Sequence, residues 1–226
     1  SKNFWDKKKS MKIILASRSG VRKKILDKYK IESDVIVSNV DEEQVKEALL
    51  SENATPLIIS KNLAEMKSIK VSSKNPDRLV LGADSVISLN NKLINKPKSR
   101  KEALEILKEL NSSKHYLISS VCISKNGTMI WNHSDQSELR MKNFKEEELI
   151  EYLDKIKTET LLMYGVYQVE ADGLNLFEYI KGDKDSIMGL PIKEIMNYIK
   201  QYKKWKKNHL QLLEIQLRTH YHQFYI

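Results

Sequence analysis

Three short stretches of this 226-residue chain set small residues beside charged or hydroxyl side chains in ways that suit chemistry. The first is Leu15-Ala16-Ser17-Arg18-Ser19-Gly20-Val21-Arg22, an apolar run that gives way to hydroxyls where a helix can begin. Backbone N–H groups at a helix start are free, the helix dipole favours an anion, and Ser17 and Ser19 add donors. Arg22 can fork onto a phosphate. The same serines would serve equally as plain helix caps. The second stretch is Gly82-Ala83-Asp84-Ser85, an Asp read at the end of a buried strand. That placement suits a metal ligand or a general base, and also a simple turn. Nearby, Asn95-Lys96-Pro97 puts a lysine on a rigid loop. The third runs from Tyr164-Gly165 to Glu170, with Gly182-Asp183 and Gly189-Leu190-Pro191 after it. Tyr167 and Glu170 offer a base a ring and a polar handle, or else form a sheet edge and its turn.

The elements that must position these residues alternate. Lys12 to Ala16 reads as a buried strand, and a helix follows from Ser19 or Gly20 to about Tyr29. Asp34 to Ser38 reads as a short strand and Asp41 to Leu50 as a helix with an acidic start. Thr55-Pro56 starts a helix that reaches about Val71. Leu79 to Ala83 reads as a strand bounded by Asp84, with a hairpin around Asn90-Asn91. Ser99 and Glu102 fit a capping box before the next helix. Tyr116 to Ser124 reads as a strand, turned at Asn126-Gly127 into a return strand from Thr128. Helices are expected over Lys145 to Ile156 and, after Gly189-Leu190-Pro191, up to about Tyr202. This alternation predicts an α/β class with a mixed sheet.

Composition narrows the class. The net charge is +9, but four lysines fall in residues 1–10 and four more, with Arg218, in residues 203–226. The body between is nearly balanced, which argues against a nucleic-acid partner. The single cysteine, Cys122, rules out an intramolecular disulfide and a cysteine-rich metal site. No apolar run approaches the ~18 residues of a membrane span, so a cytoplasmic protein is expected. There is no Walker loop, paired-His zinc motif or dinucleotide glycine fingerprint, and His115 and His133 stand alone. Residues 1–10 read as an extension and 11–202 as one domain. Residues 203–226 form a basic tail, either dispensable or an amphipathic helix for a membrane or partner surface.

Taken in order, these stretches resemble the Maf family of nucleoside triphosphate pyrophosphatases from about Met11 to Tyr202. The opening is similar to the family's L-A-S-x-S-P-x-R, with Gly20 in place of Pro. Val40-Asp41-Glu42 matches a short acidic motif, and Leu63-Ala64-Glu65-Met66-Lys67 matches a helix with a functional lysine. Val80 to Ser85 matches its G-A-D-T motif, Asn95-Lys96-Pro97 its G-K-P without the Gly, and His115 with Ser119 its H-x-V-x-T strand. Tyr167 and Glu170 fall where most members carry Y-x-I-Q. Glu170 is similar to the 7-methyl-GTP subgroup, whereas Ser85 is closer to the dTTP/UTP subgroup and Val21 matches neither, which leaves both bases open.

The resemblance implies a mixed α/β fold with two lobes around a deep cleft, commonly dimeric and cytoplasmic. It implies hydrolysis of a nucleoside triphosphate to monophosphate and pyrophosphate with Mg or Mn, and a link to septum formation. On that footing Arg22, Lys67, Lys96 and the Ser17–Ser19 loop, with the metal, would neutralise the triphosphate. Glu42 and Asp84 would hold the metal or position water, with Asp84 as general base. Val21, Ser85, Tyr167 and Glu170 would meet the nucleoside. A catalytically silent nucleotide-binding regulator of division is the alternative.

Overall fold

Asn126 and Gly127, both at positive φ, turn the chain between its two longest strands, β5 (Lys114–Lys125) and β6 (Thr128–Met141). The computed structural model describes residues 11–169 and 172–223. Around that hairpin the described strands form one seven-stranded mixed sheet. The others are β1 (Ile13–Leu15), β2 (Ser33–Val35), β3 (Val80–Leu89), β4 (Lys92–Ile94) and β7 (Phe177–Lys181). Their order is β2-β1-β3-β5-β6-β7, with β4 folded back on β3. Pairing is parallel for β1 with β2 and with β3, and antiparallel elsewhere.

Helix starts follow local chemistry. Ser19 caps α1 (Gly20–Lys28), Asp41 caps α2 (Glu42–Ser51), and Thr55 caps α3 (Pro56–Ser72) with Pro56 in its first turn. Ser99 caps α4 (Arg100–Leu110), but Glu102 reaches back to the Lys98 amide rather than to Ser99, so the box closes one residue early. Helices α5 (Glu146–Asp154), α6 (Thr158–Tyr164) and α7 (Lys184–Ile187) follow. The apolar faces of α4, α5 and α6 meet Leu139, Met141 and Phe177 in one buried cluster.

Helix α3 shows why small residues recur. Ser60, Ala64, Ser68 and Ser72, spaced by four, are fully buried. Ser60 bonds Ser120 at 2.5 Å and Ser68 bonds Ser124 at 2.7 Å, both on β5. A Cβ on Gly82 of β3 would collide with the Ala64 carbonyl oxygen and lie 2.8 Å from the Ser68 amide nitrogen. Gly82 therefore permits a backbone-to-backbone approach of α3 to the sheet.

Several expectations are corrected. Asp84 does not bound a strand. It sits mid-strand, because β3 continues to Leu89 on its ladder with β5. Strand β2 ends at Val35 rather than Ser38. The stretch after Tyr164 is not a sheet edge: Tyr164 ends α6, and Gly165 turns the chain at φ +95°.

The chain divides into two units, one up to Pro191 and one from Ile192. The second is α8 (Ile192–Gln223), one helix without a break at Tyr202. Ile192, Ile195 and Ile199 are buried, whereas every described side chain from Lys203 to Leu217 is exposed.

Candidate active site

Strand β1 delivers Ser17 to the start of α1, and Ser19 folds that start. The Ser19 hydroxyl accepts from the Arg22 amide at 3.3 Å, and the Ser17 hydroxyl accepts from the Ser19 amide at 3.2 Å. The Arg22 guanidinium is then spread over neutral acceptors. It donates to Ser17 Oγ at 3.1 Å, to Ser85 Oγ at 3.1 Å and to the Gly189 carbonyl at 2.9 Å. Gly189 lies at φ +107°, a conformation glycine tolerates, and a Cβ there would stand 3.2 Å from Arg22 Nε. Burial pulls the guanidinium's pKa down, and attraction to Asp84 and Glu42 opposes it. Ser19 is thus the helix cap, while Ser17 braces that cap and holds Arg22. Val21, half-buried, precedes Arg22 on α1.

On the α3 side stands an ion cluster with two buried members, Lys67 and Asp84, and a half-buried one, Glu42. Lys67 Nζ lies 2.9 Å from Glu42 Oε1 and 3.0 Å from Asp84 Oδ1, and it also donates to the Ala83 carbonyl at 3.4 Å. Glu42 comes from the first turn of α2, Lys67 from α3 and Asp84 from β3. The close approach at Gly82 brings α3 near enough for Lys67 to reach Asp84. Asp84 is 6 % exposed, and its second oxygen, Oδ2, is buried without a hydrogen bond. Burial pushes the Asp84 carboxyl above the usual range, and nearby Glu42 adds to this against the pull of Lys67 and Arg22. Burial also opposes ionisation of Glu42, but Lys67, with Lys46 and Lys96, outweighs it and holds that carboxyl low. Lys96 is exposed, yet the protein around its ammonium desolvates it enough to lower its pKa against attraction from Glu42 and Asp84.

Arg22, Glu42, Lys67, Asp84 and Lys96 therefore lie within one another's fields, along with Ser17, Ser19 and Ser85. Tyr167 does not join them. Its hydroxyl meets His115 Nε2 at 2.9 Å inside the apolar cluster, and its ring packs edge-on against Phe177 at 4.9 Å. Base stacking by Tyr167 finds no support in that placement. Burial lowers His115 to a pKa of about 4, and its Nδ1 makes no hydrogen bond, so this is a neutral core histidine. Glu170 lies outside the described residues.

Sequence reasoning missed a polar chain leading away from Arg22. Ser85 Oγ bonds Ser119 Oγ at 3.1 Å, and Ser119 donates to the Ser186 carbonyl at 2.6 Å. Ser186 donates to Asp135 Oδ2 at 2.5 Å, and His133 meets Asp135 Oδ1 at 2.6 Å. Ser85, Ser119 and Asp135 stand opposite one another across β3, β5 and β6. No local signal marks Asp135, since only strand register reveals its neighbours.

A forked cation on neutral acceptors thus stands beside two carboxylates gripped by a lysine, an arrangement chemically able to take an anion and to supply a base. The Maf family model, described as Maf-like protein, matches residues 12–202. The chain belongs to that family. It is 58 % identical over 188 residues to a nucleoside triphosphate pyrophosphatase of Pelagibacter ubique (strain HTCC1062), covering 83 % of this chain and 96 % of the relative. A nucleoside triphosphate pyrophosphatase of Ruegeria pomeroyi (strain ATCC 700808 / DSM 15171 / DSS-3) is 37 % identical, with 83 % and 94 % covered. A 7-methyl-GTP pyrophosphatase of Brucella abortus biovar 1 (strain 9-941) is 32 % identical, with 86 % and 98 % covered.

Proposed function

We propose that this chain hydrolyses a nucleoside triphosphate to the monophosphate and pyrophosphate. The observation that carries the reading is the convergence of Glu42, Lys67 and Asp84 beside Arg22, in a chain of this family. Arg22 would exchange its neutral acceptors for phosphate oxygens, with Lys96 and the Ser17–Ser19 loop adding donors. Asp84 would take the proton from water as its oxygen bonds to the α-phosphorus. The bond from that phosphorus to the bridging oxygen breaks, and pyrophosphate carries the electron pair away. The raised affinity of Asp84 for protons suits a base that must accept one.

The residues fit a magnesium or manganese ion. Among the described residues no group of three or more His, Cys, Asp or Glu forms a cage. Magnesium needs none, because it binds through one or two carboxylates together with substrate phosphates. Glu42 and Asp84 would hold it, Asp84 through Oδ2, the buried oxygen that makes no hydrogen bond and is not engaged by Lys67. Bound there, the ion would neutralise phosphate charge.

Nucleoside recognition would fall to Val21, Ser85 and Glu170. A carboxylate accepts from the N–H edge of a guanine, whereas an amide both donates and accepts. We also take residues 11–202 as the catalytic body, working in the cytoplasm as a homodimer. These last points rest on the family resemblance, and cell fractionation and sedimentation velocity test them.

The deciding experiment offers dTTP, UTP, 7-methyl-GTP and the common triphosphates with Mg or Mn, in water enriched in heavy oxygen. Pyrophosphate release with the label in the monophosphate is expected. Release of orthophosphate, or binding without turnover, overturns the reading, and the latter outcome returns the silent regulator. Glu170→Gln should reorder the base preference, and an unchanged order removes Glu170 from the base site.

A further inference from the structure

The family match ends at Tyr202, yet α8 continues to Gln223, and the proposed catalysis uses nothing beyond Tyr202. That continuation has two chemically distinct sides. At 3.6 residues per turn, Tyr202, Trp205, His209, Leu212, Leu213 and Leu217 share one arc about 160° wide, on which Leu210 also falls. Trp205 is 59 % exposed, Leu212 59 % and Leu217 61 %. Rings run along the arc: Tyr202 lies 6.0 Å from Trp205, and Trp205 stacks on His209 at 5.3 Å. Lys203, Lys204 and Lys207 stand on the other side together with Ile215, while Gln216 and Lys206 enter the apolar arc, where the lysine stem can lie along apolar surface while its ammonium reaches out. From Lys203 to Leu217 the only acid is Glu214.

We propose that the second half of α8 binds peripherally to a bilayer surface carrying anionic phospholipid headgroups, lying in the plane of the interface. The charge decides the occupant. Four lysines within five residues complement acidic headgroups, and each is worth about fivefold in partition near such a surface. The width of the arc points the same way. Pairing with a second copy through a coiled-coil seam asks for a narrow stripe, and the stripe here is broad with a lysine inside it. Trp205 sits beside the lysine cluster, where an indole prefers the boundary between headgroups and chains. No helix among the described residues is long and apolar enough to cross a membrane, so the mode is interfacial.

The test is sedimentation of the full chain with vesicles of phosphatidylcholine alone or mixed equally with phosphatidylglycerol. Binding is expected to the mixed vesicles only, and to weaken steeply with added salt. Trp205 emission, isolated by comparison with Trp205→Phe, should shift to the blue. Leu212→Asp should abolish binding, and replacing the four lysines by Gln should reduce it by at least tenfold, both with unchanged nucleotide hydrolysis. Equal binding to neutral vesicles, or none to either, overturns the proposal. So does a concentration-dependent dimer lost in Leu212→Asp without vesicle binding. Lysine-dependent retention on single-stranded RNA that ignores Leu212→Asp would assign the tail to nucleic acid instead.

Discussion

Arg22 and Lys67 are neighbouring cations with opposite company. Arg22 rests on two serine hydroxyls and a carbonyl, all neutral. Lys67 is clamped between two carboxylates. A guanidinium on neutral acceptors gains a charge-assisted bond when a phosphate arrives, whereas an ammonium already matched to carboxylates gains little. On this comparison we propose Arg22 as the phosphate clamp and Lys67 as the keeper of the carboxylates. This refines the expectation from sequence that both neutralise the triphosphate.

The sharpest break comes at Asp84. Asp84→Asn should cut turnover by about 10²–10⁴-fold while the fold survives, measured by pyrophosphate release and circular dichroism. Lys67→Met should act mainly on stability, leaving the buried Asp84 carboxylate without its ion-pair partner, with about 3–5 kcal/mol lost in urea unfolding. It should also shift the pH profile. Asp84 must be ionised to act as base, and burial raises its pKa in the metal-free protein, so at low metal concentration activity should fall with acidity sooner than for an ordinary aspartate. Removing Lys67, which opposes that rise, should move the acid limb further up. Arg22→Ala, which removes a smaller pull on the same carboxyl, should move that limb up by less than Lys67→Met does and lower kcat/KM by about 10–100-fold, chiefly through KM, as loss of a charged hydrogen bond does. If Arg22→Ala costs stability while Lys67→Met costs only substrate affinity, the two roles are reversed. The smallest effect lies away from both. Unfolded histidine takes a proton near 6.5, but His115 refuses it until about 4, so stability should decline as pH falls through that window. His115→Gln should flatten the decline in thermal melts.

Local signals with a physical cause were legible in the sequence. Ser19, Asp41 and Thr55 cap the helices they were expected to start, and Asn90-Asn91 and Asn126-Gly127 make the expected hairpins. The run at Asp84 misled because small residues read as a strand end, while here they admit α3 against the strand. That is a tertiary requirement, invisible in local pattern. Helices α6 and α7 and strand β7 are short and carry weak periodicity. The residues gathered around Asp84 could be nominated from sequence, but their pairing could not. Nothing in the chain says that Lys67, rather than Lys96, would lie between Glu42 and Asp84.

Helix α2 has no buried residue, and an open groove of about 480 Å³, lined by Val40, Gln44, Val45, Asn62, Met66 and Ile69 among others, runs between part of it and α3. Asp84, by contrast, sits in the middle of the β3–β5 ladder, with paired residues before and after it. One half of the carboxylate pair is thus rigid and the other is carried on a helix with little holding it down. Amide protons of α2 should exchange with solvent long before those of β3, at an opening cost far below that of global unfolding. If so, each opening of α2 carries Glu42 away from Lys67, and the frequency of that excursion sets how often the pair is assembled.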